Sequence, residues 1–547
     1  MCTNISEKRV SQGRDTKTNR IFIGMATNLL KHVYFILRAY FEVFIDYLFS
    51  IYWESERKVT IPPLEERHKF LALSAVDLAA KIRNKELKSV DLVKACIERI
   101  KLVNPVINAV TDERYDEALK DAEKVDMLIA DGQSKEFFEG KPFLGVPFTT
   151  KESHMVAGLH QTLGILSRRH MRSSEDAEAV RLLREAGAIP VAVTNVPEIN
   201  KWQECRNNIF GQTCNPHHAG RTPGGSSGGE AALHAAVTAP ISLCSDVGGS
   251  TRMPAFYCGL YGYICTGGHT NCKGLAFRDG KAPTMVSISF VSRHCSDLIP
   301  LTKVIAAEKA KDLDLDRPVD AKRIKVFYME SSEDLRVSPV CSDLRNAMTR
   351  VITKLTSSAP TTDYIPKQYS HPGFNHMYSL WRHRMTREAE TFAKCLANNT
   401  GEVNGLVELG KKLVGMSDFT LAAIIKCLDD QVLPPVNEEW AEDMIKQLSD
   451  DINRHLSSGG VLLLPSAPQP APYHYTLYLR PFNFAYWAVI NALQLPAAQV
   501  PLGVNSDGIP LGIQVVAGHK QDALVVAMAE RITELCGGVV PPCAIPE

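Results

Sequence analysis

Residues 224–250 repeat one device twice. Gly224-Gly225-Ser226-Ser227-Gly228-Gly229 opens the stretch and Asp246-Val247-Gly248-Gly249-Ser250 closes it. Between them an alanine-rich segment reads as a helix, and an apolar run follows that reads as a strand. Glycine admits positive φ and lets a bound molecule come close to main-chain N–H groups. A hydroxyl presented there suits a nucleophile, and the N–H groups beside it suit an oxyanion. Gly-Ser clusters are more often flexible loops, but a linker has no need of a helix–strand unit between two near-copies of itself.

The flanking chain follows the same rhythm. Ser74 and Ser89 each stand as caps before apolar residues at helical spacing. Residues 106–110 read as a short strand, 115–131 as a helix and 143–150 as a strand ending at Lys151. Residues 177–186 read as a helix stopped by Gly187, and a β-branched strand follows over 189–193. Amphipathic helices are expected over 378–396 and 440–456, strands over 461–465, 495–502 and 511–516, and a last helix over 521–535. Alternation of this kind predicts an α/β fold with helices packed on a sheet.

Lys+Arg and Asp+Glu both number 61, so no charge excess argues for nucleic acid as a partner. The 14 cysteines are scattered without a Cys-x-x-Cys pair. Cys258, Cys265 and Cys272 recur every seven residues through a Gly-rich stretch, a spacing that does not make a metal site. Thiols in a reducing compartment are expected, and no metal.

The N-terminus is different in kind. Residues 1–20 are polar and basic, whereas 21–53 are strongly apolar but punctuated by charge. On a helix of 100° per residue Arg20, Lys31, Arg38, Glu42 and Asp46 fall within about 80° of one another. The segment reads as a membrane-associated helix lying in the interface, with a tilted span or a core helix as alternatives. Residues 54–70, with Ile61-Pro62-Pro63, read as a linker, 71–542 as the catalytic domain and 543–547 as a C-terminal tail.

Three groups could carry chemistry. Lys151 ends an apolar strand, where desolvation favours a neutral amine that can act as a base. The glycine-rich loop lacks the Gly-Lys-Ser/Thr ending of a phosphate cradle. As Gly225-x-Ser227-x-Gly229 it matches a nucleophile elbow, which would make Ser227 the nucleophile, although loop rather than strand precedes it. The remaining reading makes Ser226 a relay hydroxyl and Ser250 the nucleophile.

The run from Pro223 to Glu230, followed by Asp246-Val247-Gly248-Gly249-Ser250-Thr251-Arg252, resembles the amidase signature family. Asn207-Asn208-Ile209-Phe210-Gly211 and Pro510-Leu511-Gly512-Ile513-Gln514 add to the likeness. The N-terminal apolar segment and Leu479-Arg480-Pro481-Phe482-Asn483-Phe484 look most like its fatty-acid amide hydrolase branch, of the second vertebrate and insect type. The resemblance implies a large mixed sheet flanked by helices in an α/β/α arrangement. It implies a Ser250-Ser226-Lys151 triad, with Gly224, Gly225 and Ser227 as the supporting loop. The N–H groups of Val247, Gly248, Gly249 and Ser250 would form the oxyanion hole. Hydrolysis of an amide through an acyl-enzyme follows, with no cofactor. A small lipid amide and an intracellular membrane surface are the expected partners, and a homodimer stays open. A non-lipid amidase, an amidotransferase-type subunit or a weakened binding protein are the alternatives. One departure stands out: Ile264-Cys265 occupies the place of the family's Lys-Pro pair.

Overall fold

The computed structural model describes residues 4–389 and 391–546, with side chains from residue 29 onward. Among these, thirteen strands follow the chain. They are β1 (Val110–Glu113), β2 (Pro147–Lys151), β3 (Ile189–Thr194), β4 (Arg206–Asn207), β5 (Gly211–Gln212), β6 (Ile241–Asp246) and β7 (Tyr261–Ile264). After them come β8 (Ser287–Ser292), β9 (Lys325–Tyr328), β10 (Lys367–Gln368), β11 (Gly460–Pro465), β12 (Ala497–Val504) and β13 (Pro510–Ala517). Eleven of them build one sheet in the order β1-β3-β2-β6-β8-β7-β12-β13-β11-β9-β10, while β4 and β5 pair with each other. Ladders are parallel through β3, β2 and β6, and again through β11, β9 and β10; the other joins of the sheet are antiparallel. The mixed sheet is therefore present.

Its strands are buried end to end where they are β-branched and aliphatic, as β3, β6, β11 and β13 are. Two large apolar clusters result. One surrounds Phe148, Val191 and Leu243; the other surrounds Leu463, Trp487 and Val515. Val247 packs against both, so the loop after β6 sits on the seam between them. The helix Gly228–Ala235 is wholly buried and rests on β6, β2 and β8, which its small residues permit.

Several boundaries differ from expectation. The helix Ser89–Ile107 carries Pro105 in its last turn, and the strand beyond it is Val110–Glu113 rather than 106–110. Asn104 explains the shift: its Oδ1 accepts from the N–H groups of Ala109 and Val110 and closes the helix end. The helix expected over 378–396 is two, Met377–Met385 and Phe392–Leu396. Residues 54–70 are not a free tether. Ile61 and Leu64 are core residues, and Arg99 holds the carbonyls of Pro62 and Pro63 at 2.9 and 3.0 Å. The tail is held too, since Leu64 N–H donates to the Ala544 carbonyl at 2.9 Å.

The N-terminal helix α1 (Asn4–Trp53) is continuous, so residues 4–20 belong to the same helix as 21–53. From Lys31 onward its charged stripe faces the protein, while Arg20 lies outside the residues whose side chains are described. Glu42 is buried and accepts from Arg38 at 2.7 Å, Ser338 at 2.6 Å and Gln469 at 3.1 Å. Arg480 meets both Glu42 at 2.5 Å and Asp46 at 2.8 Å, and Lys31 meets Glu333 at 3.5 Å. The apolar face points outward: Leu30, Tyr40, Val43, Tyr47 and Ile51 are each 64–72% exposed. Trp53 closes the helix against His474 and Tyr475. No helix of the described residues is long and apolar enough to cross a membrane.

Candidate active site

The register of the sheet builds the site. β2 and β6 are parallel neighbours with Thr149 opposite Ser242 and Thr150 opposite Leu243, so Lys151 comes level with the Cys244-Ser245 end of β6. Its Nζ donates to Ser245 Oγ at 3.0 Å and to Ser226 Oγ at 2.9 Å. Lys151 and Ser226 are fully buried. Burial pushes the lysine down to about 8, opposed by Cys244, Asp246, Cys205 and Glu230 nearby. Glu230 is itself pushed up to about 7 by burial, against hydrogen bonds that include those from Thr149 and Thr194 at 2.7 Å each.

The first glycine-rich loop reaches Lys151 by running close to other backbone. The Gly225–Ser226 peptide is cis, and a Cβ on Gly225 would collide with the Trp202 carbonyl. Ser227 follows and leads into the helix Gly228–Ala235. Its N–H donates to the Ser250 carbonyl at 3.1 Å and its Oγ to the Ser245 carbonyl at 3.5 Å, tying the two loops together.

The second loop is held from beneath by Asp246. Burial alone would raise this carboxyl, but Arg252 and the loop N–H groups outweigh it and hold the carboxyl below the usual carboxylate range. Arg252 Nη2 meets Asp246 at 3.0 Å and also donates to Asn491 at 2.6 Å and to the Trp487 carbonyl at 3.1 Å. Gly249 has φ +107° and its Cα lies against Trp487, where a Cβ would come within 2.6 Å of the indole's Cβ. Its N–H donates to Asp246 Oδ1 at 2.7 Å. In this arrangement Gly249 is spent on shaping the loop, unlike the oxyanion donor expected of it. Among the described residues, no hydrogen bond engages the N–H groups of Val247, Gly248 or Ser250.

Two cavities meet at Ser250. The larger, about 160 Å³, is walled by Met253, Tyr378, Trp381, Phe482 and Phe484, and is also lined by Gly225, Val247 and Gly248. Tyr378 stacks edge-on with Phe482 at 4.6 Å, and Trp381 with Phe484 at 4.9 Å. The smaller, about 60 Å³, is lined by Ser226, Ser245 and Ser250 among others. Ser227 lines neither, and Ile264 and Cys265 are buried in the core away from both.

Two contributors escaped the sequence reading. Ser245, the second acceptor for Lys151, depends on the β2–β6 register, although its place beside Asp246 was a signal. Trp381 Nε1 donates to the Val247 carbonyl at 2.7 Å and fixes the loop from 134 residues away; nothing local in 300–455 marks it.

The family described as Amidase matches residues 91–526. The chain is 38% identical over 492 residues to "Fatty-acid amide hydrolase 2" of Homo sapiens, covering 86% of this chain and 90% of that protein. It is 35% identical over 504 residues to "Fatty-acid amide hydrolase 2-B" of Danio rerio, covering 89% and 94%. Among solved structures, "Fatty acid amide hydrolase" superposes with a TM-score of 0.67 at 21% identity, covering 87% of each chain. "Structure of 6-aminohexanoate cyclic dimer hydrolase complexed with substrate" superposes with the same TM-score at 22% identity, covering 85% and 97%.

Proposed function

The chain belongs to the amidase family and hydrolyses carboxylic amide bonds, and on that premise we propose that Ser250 is its nucleophile, activated by Lys151 through Ser226. One observation carries this reading. Lys151 Nζ lies 2.9 Å from Ser226 Oγ inside the protein, while Ser250 opens on both cavities. Neutral Lys151 takes the proton of Ser226 Oγ, which takes that of Ser250 Oγ, and Ser250 Oγ bonds to the amide carbon. The N–H groups of Val247, Gly248 and Ser250 stabilise the oxyanion, each donor contributing ~3–4 kcal/mol. The C–N bond then breaks as the proton returns through Ser226 to the leaving amine. Water cleaves the acyl-enzyme by the same relay in reverse.

The substrate we assign is a fatty-acid amide, its acyl chain lying among Tyr378, Trp381, Phe482 and Phe484. The names of the relatives support this, as does the apolar wall. Association with a membrane surface through the outward face of α1 fits a lipid substrate and covers an apolar stripe that the protein itself leaves open.

A serine-directed fluorophosphonate tests the assignment. Ser250→Ala should lose labelling and Ser227→Ala should keep it. The reverse pattern would make Ser227 the nucleophile and overturn the relay.

A further inference from the structure

Asn200, Lys201, Val247 and Ser250 line both cavities, so they form the partition at which the scissile bond would lie. The two compartments differ in chemistry. The lining of the smaller holds serine hydroxyls and two cations, Lys201 and Arg278, and no carboxylate. Arg278 is neutralised by Glu388 at 2.7 Å. Lys426, across the larger cavity, is held by Asp429 at 3.0 Å and by Asp430. Lys201 differs from both: among the described residues its ammonium has no ion pair and no side-chain hydrogen bond. It is half-buried by surface area, yet deep enough that burial, followed by the charge of Arg278, pushes it down to about 8 against the carboxylates of Glu388 and Asp430. A side chain that is accessible and desolvated at once is one that faces an internal space.

Its neighbours are unsatisfied as well. Asn200 Oδ1, Trp202 Nε1 and Gln203 Oε1 are buried without a partner, and all three residues line the larger cavity. The backbone that presents them is unusual, with Ile199 at φ +51° and Asn200 at φ +59°. Left-handed conformation at a β-branched residue is disfavoured and persists where surroundings impose it. A cation without an ion pair inside a protein is costly unless an occupant completes it, and an anionic group does so. A neutral alkyl substituent on the leaving amine does not pair with it.

We propose that Lys201 is a specificity-determining residue that receives a carboxylate on the leaving amine, so that the favoured substrates are N-acyl derivatives of small amino acids. This rests on the reading that Ser250 attacks a fatty-acid amide. With the acyl chain in the larger cavity, the amide nitrogen faces the smaller one. In an N-acylglycine the carboxylate carbon is two bonds beyond that nitrogen, and a space of about 60 Å³ suits such a compact group. The reaction balances as before: the C–N bond breaks, nitrogen takes the proton from Ser226, and glycine leaves with its carboxylate unchanged.

The full-length enzyme should be assayed with N-oleoylglycine, N-oleoylethanolamine and oleamide, as wild type, Lys201→Met and Lys201→Arg. Fluorophosphonate labelling of each variant confirms an intact site. Wild type should favour the glycine conjugate over the ethanolamide, which matches it in length without the charge. Lys201→Met should lower the ratio of kcat/KM for N-oleoylglycine to that for oleamide about tenfold, the scale of a lost hydrogen bond to a charged group, chiefly through KM. Lys201→Arg should restore most of it. An unchanged ratio in Lys201→Met overturns the proposal. Hydrolysis of oleamide with none of the glycine conjugate overturns it while leaving the fatty-acid amide reading standing, and failure on all three substrates removes both.

Discussion

At the scale of residues, the decisive quantity is the charge on Lys151. Held near 8, it is mostly protonated at pH 7, and only the neutral fraction can accept a proton from Ser226. That fraction grows with pH, so kcat/KM should rise by about tenfold per unit on the acid side and level off above about 8. Lys151→Ala should lower kcat by about 10²–10⁴ and abolish the limb. A rate that is flat between pH 6 and 8, with near-normal activity in Lys151→Ala, would leave the lysine a structural role only. Lys151, Ser226 and Ser250 stood out in the chain because glycine-rich loops and a strand-ending lysine are local patterns, and their proposed roles came from the resemblance to the amidase signature family. Ser245 and Trp381 were missed, because their contacts are set by strand register and by a helix far along the chain. The N–H of Gly249 shows the same limit in reverse: a Gly-Gly-Ser motif advertises donors but does not say which one a neighbouring carboxylate has already taken.

At the scale of elements, α1 is the instructive case. Its narrow charged stripe was legible, but the direction it faces was not. The counter-charge is Arg480, 438 residues from Glu42, and only the folded chain brings it there. Docking through charge leaves the apolar stripe outward, the reverse of a helix that covers a core. The charges along its other face argue against a span, since each charge at a bilayer centre costs at least ~2.5 kcal/mol. The full chain should sediment with phospholipid vesicles and resist high salt, because apolar burial rather than ion pairing holds it. The triple variant Val43→Glu, Tyr47→Glu, Ile51→Glu should stay in the supernatant and still label with fluorophosphonate. Wild type that remains wholly soluble beside vesicles would contradict this. Element boundaries were misread where side chains override periodicity, as where Asn104 carries a helix end past Pro105.

At the scale of the molecule, the eleven-stranded sheet carries two apolar clusters whose seam is the loop after β6. One half supplies Lys151 and Ser226, and the other supplies Trp381, Trp487, Phe482 and Phe484. The α/β alternation was readable because central strands such as β3, β11 and β13 are largely apolar, yet the order of strands and the meeting of the halves are long-range facts. The proposed reaction is acyl transfer to one hydroxyl at that seam. The direct measurement is to quench the full-length enzyme in acid during turnover of oleamide and map the peptide that carries the oleoyl group by mass spectrometry. The oleoyl ester should lie on Ser250, accumulate in wild type and be absent from Ser250→Ala. An oleoyl group on Ser227, or steady hydrolysis with no acylated peptide at all, would contradict the account.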